Sequence, residues 1–350
     1  MTIETIKGQR KDLAQVAYSD YFGYLPKIGK GEIGNFVNQV TQDALRRPDL
    51  EQIETNPVIG YIGTKIMPTV KVMQKGGTVY YQALTADAAA QTNRNAGSAF
   101  TRVLLSKAST TYTAAETGKE YAIDKYETEN YGGIEIVDYQ GAMAAKRSVE
   151  RAVEEAVADI VLTNGTVSGV DIGSSLIGAV ETGLESIRRY SGRTAFVCSK
   201  TIFHRIMKYS EVTGYFGLSS ASISGADAMA IVSRQPAALK MILSSILGVD
   251  EILIGDDDQW YDSDVAKQDR AALIKLPSTD PLSFKTAPEF GRNFVYYPSM
   301  AGTPFEIESY YDSKDKVNAY TCAIWNNLVE LNSNALYILD GLDAGNTITT

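Results

Sequence analysis

The sequence has few of the residues on which most catalytic and metal-binding sites depend. It holds one histidine, His204, and two cysteines, Cys198 and Cys322, among 350 residues. So few side chains cannot assemble a histidine-rich metal site or a Cys-His pair. The cysteines lie far apart in sequence, and we expect both to be free, buried thiols in a reducing cytoplasm. These counts argue against zinc or thiol chemistry.

Long apolar runs and basic clusters are also missing. No apolar stretch approaches the roughly 20 residues that cross a membrane. The first residues show no basic segment followed by an apolar core, so no signal peptide is predicted. With 33 basic and 42 acidic residues, the net charge is −9. No run of Lys or Arg is longer than a pair, which argues against a protein that grips nucleic acid through its own phosphate contacts.

What is present is ordinary globular composition with abundant tyrosine. The chain is 44% hydrophobic and 21% charged, and its length favours two domains. It holds 21 Tyr against 10 Phe and 2 Trp. Tyrosine suits semi-exposed contact surfaces because it joins apolar area to a polar hydroxyl. The alternative explanation for the number of tyrosines is that they are common in β-sheets.

The clearest periodic pattern is one long amphipathic helix over Asp138–Thr163, called here the spine helix. Its apolar residues recur at helical spacing, at Ala145, Val149, Ala152, Val153, Ala156, Val157, Ile160 and Val161. At about 1.5 Å per residue it would span roughly 37 Å, about twice the usual length. Asn164-Gly165 is a good stop signal.

A long projecting loop is predicted before the spine helix, over residues 77–127. Gly77–Glu127 reads as a strand, a stretch rich in Ala, Thr, Ser and Asn, and a second strand. We expect the strand Thr78–Leu84 to pair with a returning strand at Tyr121–Glu127. A compact domain rarely keeps so long a projection without a function for it. A rigid spine beside such a loop indicates a subunit that its neighbours complete.

The residues before this loop do not form a core of their own. Residues 1–56 are turn-rich with short helical patterns and few large apolar residues. Val58–Met73 reads as extended, with Pro57 and Pro68 limiting it to edge or broken strands.

From about Gly165 onward the pattern alternates between helix and strand, which predicts an α/β domain. The predicted elements are helix Leu176–Tyr190, strand Thr194–Cys198, helix Lys200–Tyr209 with Ser199 as its N-cap, helix Ala237–Leu247, and strands Glu251–Ile254 and Ala271–Lys275. Prolines 277, 281 and 288 mark a long irregular passage. The chain closes with two segments of strand-like alternation, Phe305–Tyr311 and Val317–Ala335.

Three motifs that could carry chemistry are each better explained by structure. Gly29–Gly34 matches G-x-G-x-x-G, but no buried strand precedes it, as a dinucleotide site requires. His204 stands at the edge of an apolar helix stripe, and no G-x-S-x-G elbow supplies a serine for a triad. The acidic cluster at Asp256, Asp257, Asp258, Asp262 and Asp264 lacks the EF-hand spacing. The glycine motif is explained by a flexible turn, His204 by the surface of a helix, and the acidic cluster by a solvated loop. No catalytic, cofactor-binding or metal-binding residue is therefore predicted.

The order of elements resembles the major capsid protein of tailed double-stranded DNA bacteriophages, the Hong Kong 97-like fold. The resemblance covers nearly the whole chain and rests on architecture. It also rests on local phrases: Asp124–Gly132 leading into the spine helix, Leu247–Gly255, and Trp325 in the closing strand. It implies an α+β fold with an N-terminal arm at 1–56 and an extended β-hairpin loop at 77–127.

The resemblance further implies two domains and a tail. Residues 57–76, 128–164 and 303–342 would form a peripheral domain with the spine helix 138–163. Residues 165–302 would form an α/β axial domain, and residues 343–350 a C-terminal tail. The implied function is a non-enzymatic shell protein without cofactors, which assembles into pentamers and hexamers around the phage genome. The implied locations are the virion and, during assembly, the host cytoplasm.

The implied partners are other copies of the chain, a portal and decoration proteins, and no membrane. Because the arm stands at the start of the chain, we expect a separate scaffold protein or none. Some relatives join subunits through an autocatalytic Lys–Asn isopeptide bond promoted by a carboxylate. Lys107 in the loop and Asn326, Asn327 or Glu330 in the final strand would be chemically suitable. Two alternatives stay open, an encapsulin-type shell that encloses a cargo enzyme and a soluble α/β enzyme centred on 165–302.

Overall fold

The computed structural model describes residues 61–83, 107–124, 126, 134–164, 166–168, 175–207, 212, 236–261, 267–297 and 303–342. The helices are α1 Gly63–Ile66, α2 Ile134–Thr163, α3 Leu176–Ile187, α4 Lys200–Ile206, α5 Pro236–Leu247 and α6 Asp257–Trp260. The strands are β1 Thr69–Val72, β2 Gly76–Gln82, β3 Lys107–Thr113, β4 Ala115–Asp124, β5 Thr166–Ser168, β6 Arg193–Ser199, β7 Glu251–Gly255, β8 Ala271–Leu276, β9 Gly291–Tyr296, β10 Phe305–Asp312, β11 Val317–Glu330 and β12 Leu336–Leu339. The arm at 1–56, the Gly29–Gly34 turn, the middle of the loop and the tail at 343–350 lie outside this range.

The first sheet is organised around the long strand β11. Its strand order is β1-β9-β11-β10, and β4 also pairs with β11. Along β11, residues 317–324 pair with β10 and residues 325–330 pair with β9, all antiparallel. Alternation along β11 places Tyr320, Cys322 and Ile324 in the core, as the period of two predicts. The sequence placed this strand correctly but extended it to Ala335, whereas it ends at Glu330.

The spine helix α2 packs across this sheet. It ends at Thr163 as predicted but begins at Ile134 instead of Asp138. The sequence pattern missed this turn because β-branched residues have low helix propensity. Fully buried Val137 shows what overrides that propensity, since it packs with Ile123 and Tyr320 of the sheet. Close approach also requires a glycine, because a Cβ at Gly141 would overlap the Tyr320 ring.

The second sheet has the order β5-β12-β8-β6-β7 and lies between two layers of helices. On one face, α3, α4 and α5 bury Val180, Ile202 and Leu243 against it. On the other face lie α1, α6 and the last turns of α2, which contribute Ile66, Trp260 and Val161. The predicted α/β alternation is confirmed here. Ser199 is also the N-cap of α4, since its Oγ accepts from the Ile202 N–H at 3.1 Å.

The loop at 77–127 is built differently from the prediction. Strand β2 pairs with β3, in register from Gly76 opposite Thr113 to Gln82 opposite Lys107. The predicted partner, Tyr121–Glu127, was wrong, because β4 instead pairs with β11, with Tyr121 opposite Tyr320. Only Ala114 separates β3 from β4, so one extended segment serves two sheets. We call the β2–β3 pair the loop stem.

Two further predictions of secondary structure were wrong. The passage after Pro277 was expected to be irregular, yet it contains β9, a central strand of the first sheet. Residues 58–73 were expected to be extended, yet α1 forms a helical turn there before β1 begins after Pro68.

Two strands join a sheet whose other strands lie mostly on the far side of the predicted division of the chain. Strand β12 lies within 303–342 but belongs to the second sheet, beside β8 and β5. Strand β9 lies within 165–302 but belongs to the first sheet, between β1 and β11. Hydrophobic periodicity cannot reveal such exchanges, because it shows that a strand is buried and not which sheet it joins.

Candidate functional site

The residues that could have carried chemistry are dispersed in the structure. Cys198 and Cys322 are both buried, as predicted, they form no disulfide, and they pack in different cores. Burial raises the pKa of the Cys198 thiol well above its ordinary range. An inert buried thiol is the expected consequence, because the thiolate is the nucleophile.

His204 lies on α4 with its ring edge toward Phe203, 6.1 Å between centroids. Among the described residues, no carboxylate or hydroxyl hydrogen-bonds to its ring. A general base needs such an orienting partner or a nucleophile within hydrogen-bond reach. The position therefore offers no support for a triad around His204.

Two carboxylates of the acidic turn are hydrogen-bonded to other groups of the protein. Asp256 caps α6 and pairs with Lys200, whose Nζ lies 2.7 Å from Oδ1. This hydrogen bond with Asp256 raises the pKa of Lys200. Asp257 accepts from both the N–H and the hydroxyl of Thr201, at 2.9 and 3.0 Å. The turn thus fastens α6 to the start of α4.

The remaining carboxylates of that cluster do not complete a metal site. Asp258 pairs with Arg151 on the spine helix at 3.3 Å, while Asp262 and Asp264 lie outside the described residues. Within the described part of the chain, no group of three or more His, Cys, Asp or Glu side chains could hold a metal ion. No helix in that part is long and apolar enough to cross a bilayer.

One buried polar residue that sequence reasoning left unassigned, Glu154 of the spine helix, connects several elements. Its carboxylate accepts from the N–H groups of Ile62 and Gly63 and from the indole N–H of Trp260, each at 2.8 Å. Burial raises its pKa, and the three hydrogen bonds act in the opposite direction. We call this arrangement the Glu154 joint.

The Glu154 joint connects three parts of the chain that are distant in sequence. It ties α1 and α6 to the spine helix, which itself crosses the first sheet. A Cβ at Gly63 would lie 2.6 Å from the Glu154 Oε2, so a larger residue there would displace the carboxylate from its hydrogen bonds. The sequence around Glu154 does not indicate this role, because the hydrogen-bond donors come from distant parts of the chain.

Exposed aromatic and apolar side chains mark the surfaces around the loop stem and the first sheet. Tyr80 on β2 is 63% exposed, and Met73 in the turn between β1 and β2 is 72% exposed. Tyr121, Tyr310 and Tyr311 are exposed at the far end of the sheet. The Tyr310 hydroxyl donates to Glu120 at 2.7 Å across β11. Large apolar groups that remain in water are typical of surfaces that a partner covers.

Comparison with known proteins bears on the fold alone. No family model and no curated protein matches the sequence. Among solved structures, a phage-related protein from Bordetella bronchiseptica RB50 matches with a TM-score of 0.61 and 17% identity, over 86% of this chain and 98% of that one. A virus-like particle from Pyrococcus furiosus matches at 0.49 and 11%, covering 85% and 98%. Mycobacterium phage Che8 matches at 0.46 and 10%, covering 91% and 97%.

The chain has the Hong Kong 97-like fold. The predicted α+β class is confirmed, with the loop stem, the spine helix and the closing strand β11 following in the expected order. In this Hong Kong 97-like fold, the Glu154 joint lies where the spine helix meets the second sheet. The structure also places two of the residues named above as chemically suitable for a cross-link, which stays a prediction. Asn326 lies in β11 opposite Val295, and Glu330 lies at its end, where burial raises its pKa.

Proposed function

We propose that this chain is a structural major capsid protein. Copies assemble into pentamers and hexamers that form the icosahedral head shell of a tailed phage, and the shell encloses double-stranded DNA. The proposal rests on the Hong Kong 97-like fold together with surfaces that a single copy leaves unfilled. It assigns the chain no enzymatic activity, and its main partner is another copy of itself.

The observation that carries the proposal is the loop stem. Strands β2 and β3 form a two-stranded sheet that hydrogen-bonds to neither larger sheet among the described residues. Its inner face packs on the first sheet through Val79 and Tyr112, while its outer face stays exposed. The outer face gains stability when it lies across a neighbouring subunit, where identical contacts repeat around a symmetry axis. The exposed Tyr80 on β2 supplies apolar area for such a contact.

The negative net charge of the chain fits a shell that encloses DNA without binding it tightly. The net charge is −9, and one face of the first sheet carries carboxylates on both strands that flank β11. By register, these are Glu306, Glu308 and Asp312 on β10 and Glu116, Glu120 and Asp124 on β4. A surface of this sign repels phosphate and does not retain it. Portal, scaffold and decoration proteins would be the further partners of such a shell.

Negative-stain electron microscopy of the purified protein tests the proposal. Closed shells of uniform diameter support it, whereas discrete monomers or dimers under assembly conditions contradict it. The contents of the particles then separate a capsid from an encapsulin-type compartment. Double-stranded DNA in particles isolated from the native source supports a capsid, and a stoichiometric cargo enzyme supports the compartment.

A soluble enzyme centred on 165–302 would require convergent ionisable groups in one cleft. Among the described residues of this region, Lys200, His204 and Asp250 line one groove beside β7, but none of the three hydrogen-bonds to a hydroxyl or thiol that could act as a nucleophile. The acidic turn is bonded to Lys200 and Thr201, and His204 has no orienting partner.

A further inference from the structure

A cavity of about 270 Å³ lies between the spine helix and the first sheet, next to the Glu154 joint. Val153 and Val157 of the spine helix line one side, and Val295 of β9 and Ile324 of β11 line the other. A water molecule takes about 30 Å³ of liquid volume, so the cavity has room for a molecule or side chain of several non-hydrogen atoms. Binding sites for small molecules combine such apolar walls with a few polar groups.

Glu154 contributes a buried carboxylate to this cavity. The residue is 4% exposed, and its three hydrogen-bond donors are uncharged N–H groups. No lysine, arginine or histidine of the described chain lines the cavity. Arg151 pairs with Asp258 instead, and Lys146 lies over the ring of Phe305 without lining the cavity. Because buried carboxylates are normally paired with a cation, the missing counter-charge points to a cationic occupant.

Asn293 of β9 is a second polar group that faces the cavity. It is 6% exposed, and its Oδ1 has no hydrogen-bond partner in the part of the chain that the structure describes. Alternation along β9 places Asn293 on the same face as Val295, which packs with Val149 of the spine helix. A buried amide oxygen without a partner is rare and costly, so a donor within the cavity is expected.

We propose that this cavity binds an aliphatic primary ammonium group. The ammonium would donate to the Glu154 carboxylate and to the Asn293 Oδ1, while its methylene groups contact Val153 and Val295. Both polar groups are acceptors, and an ammonium has three donors and no acceptor. Its positive charge strengthens the hydrogen bonds to the carboxylate. The ammonium belongs either to a free alkylamine or to a lysine side chain of a second copy.

Calorimetric titration of the purified protein with butylammonium chloride at neutral pH tests the site. We expect saturable binding of one equivalent per chain, together with a rise in the melting temperature, because a ligand that binds only the folded state stabilises it. Tetramethylammonium chloride has the charge but no N–H donor, and sodium chloride has no aliphatic part. Neither should reproduce the effect at equal concentration. No saturable binding of butylammonium, or an equal effect of either salt, would overturn the proposal.

The variant Asn293→Leu separates binding from stability. Replacing an unsatisfied buried acceptor by an apolar side chain should not destabilise the free protein. Loss of a hydrogen bond to a charged donor should weaken butylammonium binding at least about tenfold. Asn327→Leu is the matched control, since Asn327 lies opposite Phe294 on the face that carries the loop stem. Equal affinities of the two leucine variants would contradict the role of Asn293.

A blocking variant provides a test that does not alter the buried polar groups. Thr64 on α1 is exposed and lines the cavity. Thr64→Phe places a large ring there and should weaken binding at least about tenfold, because the ring takes up space that the ligand needs. Thr78→Phe, at an exposed position of the loop stem, should bind like the unaltered protein. Equal binding by these two variants would contradict the position of the site.

Self-association distinguishes the two sources of the ammonium group. If a lysine of a second copy fills the cavity, butylammonium competes with it, and the mass measured by light scattering falls as the amine is added. If a free amine is the natural occupant, the mass stays constant while calorimetric binding persists. Either result supports an ammonium site and identifies its source. Absence of closed shells in electron microscopy would contradict the proposed function but leave calorimetric binding unchanged, so the two proposals fail separately.

Discussion

The carboxylate of Glu154 accepts the indole N–H of Trp260 at 2.8 Å. Both residues are buried, and they belong to parts of the chain separated by more than a hundred positions. Because the same carboxylate also accepts the N–H groups of Ile62 and Gly63, one side chain joins α1, the spine helix and α6. The two sheets are therefore fastened through a polar contact as well as through apolar packing.

Removing this carboxylate should destabilise the fold strongly. Glu154→Ala leaves three buried N–H donors without an acceptor, and each unsatisfied donor costs about 1–3 kcal/mol. We expect the free energy of unfolding in urea to fall by about 3 kcal/mol or more on this basis. Glu155→Ala, at the exposed next position of the same helix, is the matched control. A loss no larger than that of the control would contradict the role of the joint.

The buried joint should also give stability a pH dependence of defined sign. Burial raises the pKa of Glu154 above 4.5 in the folded state. Between 4.5 and the raised pKa, the folded state binds more protons than the unfolded state, so the free energy of unfolding falls as pH rises. Above the raised pKa this loss is complete. Glu154→Gln, which does not titrate, should show a smaller fall across that window in denaturation series.

The contact between the spine helix and β11 leaves no room for a methyl group. A Cβ at Gly141 would overlap the ring of Tyr320, whose hydroxyl is fixed by Asp138 at 2.5 Å. Gly141→Ala should therefore cost about 1–3 kcal/mol from overpacking, although alanine favours helices. Gln140→Ala, at the exposed preceding position, should not destabilise. Thermal melting of both variants measures the difference, and a stabilised Gly141→Ala would show that the helix stands further from the sheet.

The loop should be needed for assembly but not for folding. Residues 83–106 can be replaced by Asn-Gly, because Gln82 and Lys107 are paired and a two-residue turn closes such a ladder. The melting temperature of the shortened protein should lie within a few degrees of that of the unaltered protein. Light scattering should show that the shortened protein forms no shells. Normal shells from this variant would contradict the proposed role of the loop.

Sequence reasoning succeeded where a pattern is local and long. The spine helix, the α/β alternation after Gly165, the Ser199 cap and strand β11 all have periodic or capping signals within a few residues. It failed where a contact with a segment distant in sequence determines the structure. The segment at 107–124 is rich in Ala and Thr without a continuous apolar alternation, and nothing local shows that its first half pairs with β2 and its second half with β11. Glu154 is the same kind of case, since its three donors come from residues 62, 63 and 260.

The central claim is that one copy is incomplete and is finished by its neighbours in a closed shell. Cryo-electron microscopy of the purified full-length protein tests it most directly. The account predicts icosahedral particles in which the loop stem, including Tyr80, is covered by an adjacent copy. A discrete monomer or dimer, in which the outer face of the loop stem with Tyr80 is exposed to solvent, would contradict it.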